Sequence, residues 1–196
     1  MNIRIILLAV VLWALPVNSS AQPVYEVILE KSNIKSKVRY TLVGTYEAEF
    51  KEFSGKLYFD PKNLADSKVE LSIQTKSLKS KYSTLDRIAR SRRLLDAAAY
   101  PNMSFKSQRI YQKGGQYYVK GIFSLHGVEK ELTFPFMIEG PITDYSLGKY
   151  VVAEGKWRVN RKDFGIMWHS VLDKGGVVVA DDVIIEWTVF ASQRMD

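Results

Sequence analysis

The sequence contains no cysteine, and this absence limits both its architecture and its chemistry. A chain without cysteine forms no disulfide, so the burial of apolar side chains must stabilise the fold. It also lacks the thiolate ligands of structural zinc sites and the cysteine that carries a lipoprotein anchor. Fold and function must therefore be inferred from the pattern of the other residues.

Histidine is almost as scarce, because His126 and His169 are the only two and each lies beside a turn. A metal site usually needs three or four ligands at regular spacing. Neither histidine belongs to a His-x-His pair, and neither has a glutamate placed beside it by helical spacing. The sequence therefore predicts no metal site.

Motifs of nucleophilic or phosphate chemistry are missing as well. There is no Gly-x-Ser-x-Gly turn of a hydrolase and no glycine-rich phosphate loop. The carboxylate pairs 181/182 and 86/96 have no evident partner that would tune their pKa values for acid–base work. We therefore predict that the protein is not an enzyme and needs no cofactor.

A long apolar run occurs only near the N-terminus, where Arg4 precedes the stretch 5–17. This stretch is shorter than the ~20 apolar residues of a membrane-spanning helix. Small residues at 19–21 then offer a signal-peptidase site after Ala21. We expect residues 1–21 to be a cleaved signal peptide and residues 22–196 to form one domain, which is periplasmic or secreted.

Positive charge exceeds negative charge, with 28 Lys and Arg against 21 Asp and Glu. A basic surface of this kind attracts phosphate or anionic lipid, although it is equally often a solvated face without a partner. Export would separate the chain from the genome, so we predict no nucleic-acid partner. A peripheral contact with an anionic membrane remains as an expectation.

Four arginines cluster in the only predicted helix, residues 83–99, for which Ser83 is the expected N-cap. On ideal helical spacing Arg87, Arg90 and Arg93 lie opposite the apolar side chains of the helix. Arg92 lies closer to the apolar side, so we expect it to turn toward the interior and hold the polar head of a ligand.

Alternation of apolar and polar residues dominates the rest of the chain and predicts about eight strands with one buried face each. The clearest rows are 69–73, 132–138, 151–159 and 183–189, and weaker ones are 38–42, 57–59, 103–105 and 119–125. One short helix is too small to cover so many strands. Closure into a single antiparallel barrel is therefore predicted, with a two-sheet sandwich as the alternative.

Sequence stretches in four regions resemble, in order and spacing, the motifs of the YceI-like family. They are residues 50–60 (FKEFSGKLYFD), 86–107, 121–128 (GIFSLHGV) and 160–166 (NRKDFGI). The resemblance covers roughly 38–191, and the segment 87–93 is more basic here than in the family. It implies a lipocalin-like barrel that binds polyisoprenoid lipid in the periplasm or outside the cell. A homodimer is compatible with this resemblance.

The resemblance implies an elongated pocket for an isoprenoid chain, such as a quinone tail or a polyprenyl lipid. The inward rows, together with the expected position of Arg92 on the helix, then predict the residues that contact this ligand. They are Val69, Leu71, Ile73, Arg92, Phe105, Phe123, Leu125, Phe134, Phe136, Trp157, Val183, Ile185 and Trp187. An apolar chain gains ~25 cal/mol per Å² on burial, so such a pocket needs few polar contacts.

Two other functions stay open on the sequence alone. The barrel could be solid, as in a structural or envelope-stress protein, because side chains alone can fill the interior of an eight-stranded barrel. Alternatively, the protein could act on an amphiphilic substrate through His126, Asp163 or Arg161. The lack of a nucleophile–base pair argues against the second alternative.

Overall fold

The structure is a computed structural model that describes residues 23–40, 44–167 and 179–193. The predicted signal peptide and His169 lie outside these residues. The strands are β1 Val24–Val27, β2 Asn33–Tyr40, β3 Gly44–Phe50, β4 Phe53–Tyr58, β5 Lys68–Gln74, β6 Leu78–Lys79, β7 Asn102–Lys113, β8 Gln116–Leu125, β9 Val128–Asp144, β10 Gly148–Asn160 and β11 Val179–Gln193. The helix α1 spans Ser83–Arg90, and 3-10 turns occur at Leu29–Lys31, Leu64–Asp66, Thr75–Ser77 and Arg161–Phe164.

The strands form one antiparallel sheet with eight positions around the barrel, and each of the first three positions is shared by two short strands. The first position holds β1 and β2, which both pair with β11. In the second position β4 pairs with β1 and β3 pairs with β2, and in the third position β5 pairs with β4 and β6 pairs with β3. β7 to β11 are long and each pairs with the next. Because β1 pairs with β4 on one side and with β11 on the other, the sheet closes into a barrel. The predicted barrel of eight strand positions is confirmed, and the sandwich alternative is wrong.

Short interruptions divide the early strands, and side chains replace the lost backbone partners there. Between β1 and β2 the Ser32 hydroxyl donates to the Ile28 carbonyl over 2.7 Å and accepts the Phe190 N–H over 2.9 Å. Ser77 makes a similar bond to the Gln74 carbonyl between β5 and β6. These hydroxyl bonds pair backbone groups at the points where the strand ladders are interrupted.

Successive connections alternate between the two ends of the barrel. We call the end with residues 80–101, the turn at 126–127 and residues 161–167 the helix end. The opposite end carries the connections 59–67, 114–115 and 145–147, and we call it the hairpin end. Gly114 and Gly115 both have positive φ there, as tight hairpin turns require.

The helix is shorter than the sequence predicted, because α1 ends at Arg90 rather than at residue 99. The Ser91 hydroxyl donates to the Ile88 carbonyl, and Asp96 adopts a left-handed φ of 41°, so the chain continues in turns. The expected cap at Ser83 is also wrong, since Tyr82 occupies the N-cap position without a side-chain bond. No helix among the described residues is long and apolar enough to cross a membrane.

The buried apolar residues form two groups. The larger group lies along the barrel and includes residues such as Ile34, Phe50 and Phe123. The smaller group lies at the hairpin end, and we call it the floor cluster. It consists of Tyr25, Leu57, Phe59, Val151 and Ala191, none more than 8% exposed.

Candidate functional site

The interior of the barrel contains a cavity of about 300 Å³ whose lining is almost entirely apolar. Twelve of the residues predicted to contact a ligand line it. They are Val69, Leu71, Ile73, Phe105, Phe123, Leu125, Phe134, Phe136, Trp157, Val183, Ile185 and Trp187. Their inward orientation follows from the period of two along five long strands and β5. Their contact with a ligand stays a prediction.

Arg92 does not line the cavity; its side chain is exposed. The expectation that Arg92 turns inward assumed a continuous helix through residue 99. Because α1 ends at Arg90, ideal helical spacing no longer describes residue 92. The structure therefore gives no support to a head-group role for Arg92.

Other lining residues were not among the predicted contacts. β2 and β3 contribute Ile34, Val38, Tyr46 and Phe50, and residues between β6 and β7 contribute Leu85, Ile88, Ala89, Leu94 and Leu95. β1 and β3 were not predicted as strands at all. Alternation of Tyr46, Ala48 and Phe50 with two glutamates was the available signal for β3, and the sequence interpretation did not use it.

Aromatic rings form one wall of the cavity. The Trp157 ring stacks on Phe134 with centroids 4.5 Å apart and meets Phe123 edge-on at 6.2 Å. The Trp187 ring lies against β10 at Gly155, its cross-strand neighbour. A Cβ at Gly155 would stand 2.6 Å from Trp187 Cζ2, so only glycine leaves room for this ring.

A segment between two strands closes the helix end of the cavity. We call residues 83–97, which include α1, the cover segment. Leu85, Ile88, Ala89, Leu94 and Leu95 point from it into the cavity. These side chains are only partly buried apart from Ala89, so the cover segment packs less tightly than the floor cluster.

Asp86 fixes the cover segment to the barrel wall. Its carboxylate accepts the Tyr46 hydroxyl of β3 over 2.8 Å, the Ser80 hydroxyl over 2.6 Å and the Ser80 N–H over 3.0 Å. Burial acts to raise the pKa of Asp86, but the bonds from Ser80 and Tyr46 outweigh it and hold the pKa below 3.8. Burial and the same carboxylate raise the pKa of Tyr46. Asp86 is therefore ionised and bonded near neutral pH.

Two of the residues named for a rival enzymatic function, Arg161 and His126, contact backbone carbonyls. Arg161 is 5% exposed, and its guanidinium donates to the carbonyls of Val179, Ala180 and Ile166 and to Asp181. His126 Nδ1 lies 3.2 Å from the Phe164 carbonyl. Within residues 23–40, 44–167 and 179–193 no group of three or more potential metal ligands occurs.

Comparisons with known proteins agree with this geometry. The YceI-like domain matches residues 25–191 of the chain. A UPF0312 protein of Vibrio cholerae is 34% identical over 136 residues, which are 69% of this chain and 72% of that protein. Protein YceI of Escherichia coli O157:H7 is 33% identical over 117 residues, which are 60% of this chain and 61% of that protein.

Solved structures share the fold. BcnA of Burkholderia cenocepacia superposes with a TM-score of 0.74 at 24% identity, over 85% of this chain and 99% of its own. A polyisoprenoid binding domain from Saccharophagus degradans superposes with a TM-score of 0.64 at 12% identity, over 87% and 98%. At these identities the likeness supports the barrel architecture alone.

Proposed function

Because the chain belongs to the YceI-like domain family, we propose that it binds a long apolar lipid, such as an isoprenoid, inside its barrel and performs no chemistry on it. The observation that carries the proposal is the apolar cavity inside the barrel. A solid structural barrel would fill this space with its own side chains. Each buried CH₂ of a ligand contributes about 0.8 kcal/mol, so an apolar chain can bind through burial alone.

The ligand class is supported by one structural neighbour. The domain from Saccharophagus degradans is described as polyisoprenoid binding, and it shares the fold of this chain at low identity. An isoprenoid chain fits a cavity lined by branched and aromatic side chains, and an isoprenoid quinone or polyprenyl lipid would both supply one. A bound lipid of this kind is a ligand rather than a cofactor.

Export and membrane contact complete the proposal. The leader pattern at 1–21 supports a periplasmic or secreted location, and intact mass of the exported protein should place its first residue at Gln22. Arg87, Arg92 and Arg93 are exposed on the cover segment beside the cavity. Each basic residue near an anionic bilayer contributes about 1 kcal/mol, which would hold this end of the barrel against its lipid source.

The test is native mass spectrometry of the purified protein, followed by organic extraction. Two neighbouring substitutions on β10 provide the comparison. Ala153 lines the cavity, whereas Glu154 is exposed on the outer face. Ala153→Trp should fill the cavity and lose the extracted lipid, and Glu154→Trp should retain it. Wild type that never carries or takes up a prenyl lipid would contradict the proposal.

A further inference from the structure

The cavity ends at the floor cluster, because two members of this cluster also belong to the cavity lining. Leu57 and Ala191 line the cavity, whereas Tyr25, Phe59 and Val151 belong to the cluster without lining it. These last three residues are 1%, 1% and 0% exposed, so the packing behind Leu57 and Ala191 is tight. An apolar chain that extends down the barrel from the helix end therefore meets a closed wall at this level.

Two side chains define how far down the cavity reaches. Leu57 on β4 is paired with Val69 of β5, which also lines the cavity, and Leu57 itself is 8% exposed. On β10 the inward residue next to Val151 is Ala153, and it lines the cavity as well. A change of side-chain volume at Leu57 or Ala153 therefore moves the lower end of the cavity without replacing any residue behind it.

The depth of the cavity follows from the geometry of β11, which runs along it from end to end. Val183 lines the cavity toward the helix end, and Ala191 lines it at the floor. At ~3.3 Å per residue and a strand tilt of ~40°, the stretch between them covers roughly 20 Å along the barrel axis. A prenyl chain advances roughly 5 Å per isoprene unit, since carbon–carbon bonds are about 1.5 Å long. The cavity therefore accommodates an extended chain of about four isoprene units.

We propose that the floor cluster limits the length of prenyl chain that the barrel buries, with the tail of the chain ending against Leu57. The polar head then lies toward the helix end, and any isoprene units beyond the limit stay outside the cavity. Units that stay outside bury no apolar surface against the protein and add nothing to the affinity. This inference rests on the proposed lipid-binding function and narrows its ligand by chain length and orientation.

A series of prenyl ketones tests the inference. Geranylacetone, farnesylacetone, geranylgeranylacetone and their longer homologues share one ketone head and differ only in chain length. Their affinities are measured by tryptophan emission, because Trp157 and Trp187 line the cavity. The floor variants are Leu57→Ala, which deepens the cavity, and Ala153→Leu, which shortens it. Leu125→Ala is the matched control, since Leu57 and Leu125 are both 8% exposed and line opposite ends of the cavity.

In wild type the affinity should rise about tenfold or more with each isoprene unit up to geranylgeranylacetone, and longer homologues should bind within about twofold of it. Leu57→Ala should strengthen the binding of the longer homologues by about tenfold and leave geranylacetone unchanged, because the vacated space admits more of a long chain only. Ala153→Leu should weaken geranylgeranylacetone by about tenfold and leave geranylacetone unchanged. Leu125→Ala should not move the chain length at which the affinity levels off.

Three results would overturn the inference. They are an affinity that keeps rising beyond geranylgeranylacetone in wild type, a limit that is unchanged in both floor variants, and a shift from Leu125→Ala as large as that from Leu57→Ala. If Leu57→Ala does not fold, Ala153→Leu still decides, because it adds carbons where the cavity has space. Failure of wild type to bind any of these ketones contradicts the proposed function itself.

Discussion

At the hairpin end the barrel is closed by side chains of its strands together with Phe59, just after β4, whereas at the helix end it is closed by a longer segment between two strands. The floor cluster contains Tyr25, Phe59 and Val151, which are 1%, 1% and 0% exposed. The cover segment has partly buried leucines and depends on the bonds of Asp86 to Tyr46 and Ser80. Opening the floor would disrupt a packed core, but opening the cover would break a few directional bonds.

The ends also differ in charge. Residues 80–101 carry five basic side chains and two acidic ones, of which Asp86 is buried. The longest connection at the hairpin end, residues 59–67, carries Asp60 and Asp66 against Lys62. The end whose closure is weaker is therefore also the end that an anionic surface would attract. We infer that a ligand passes through the helix end.

The largest expected effect is on the floor. Phe59→Ala should lower the free energy of unfolding by about 3–5 kcal/mol, because it leaves a cavity in a packed cluster. Leu95→Ala in the cover segment should lower the free energy of unfolding clearly less, since Leu95 is only partly buried. Urea unfolding of the two variants gives the comparison. Equal losses would mean that the two ends are packed alike.

A smaller, local effect is expected from the bonds that hold the cover segment. Asp86→Asn removes the charge that three donors share, and a hydrogen bond to a charged group contributes about 1.5–3 kcal/mol. Amides of residues 83–97 should exchange faster while those of β8 and β10 keep their protection. Tyr46→Phe, which removes one donor, is the matched control and should give part of the change. Uniform loss of protection across the barrel would contradict a local role.

Acid should act on the cover segment in the same way. The pKa of Asp86 is held below 3.8 in the folded protein, so its bonds stabilise the cover fully above that value. The stabilisation should disappear as pH falls below 3.8 through the folded pKa. Amide exchange of residues 83–97, corrected for its intrinsic pH dependence, should show this loss in wild type. Asp86→Asn should be insensitive over the same range, and an equal response in both proteins would exclude Asp86 as the cause.

The smallest effect concerns the basic surface. Replacing Arg87, Arg92 and Arg93 by Glu should abolish sedimentation with anionic vesicles at low salt, and wild-type binding should fall at high salt. Arg90 is left unchanged, because its guanidinium donates to the carbonyls of Asp86 and Lys76. Lys62→Glu at the hairpin end is the charge control. Binding that is equal in all proteins would leave these arginines as ordinary surface.

The sequence predicted the wall of the barrel better than its ends. Rows such as 151–159 have a period of two over a long strand, and one buried face follows directly from that period. The ends depend on contacts between distant parts of the chain. Asp86 was considered as a carboxylate for acid–base work, but its role depends on Tyr46, forty residues away.

The remaining differences also have local causes that pattern alone does not reveal. Hydroxyl bonds of Ser32 and Ser91 lie at the break between β1 and β2 and at the end of α1. The placement of Arg92 depended on the length of that helix.

The most direct test of the account is the rate at which a bound prenyl lipid leaves the barrel. Release of geranylgeranylacetone can be followed by tryptophan emission in wild type, in Asp86→Asn at the cover and in Val151→Ala at the floor. The account predicts release about tenfold faster from Asp86→Asn, which corresponds to a loss of about 1.4 kcal/mol, and little change from Val151→Ala. Faster release from the floor variant than from the cover variant would contradict passage through the helix end.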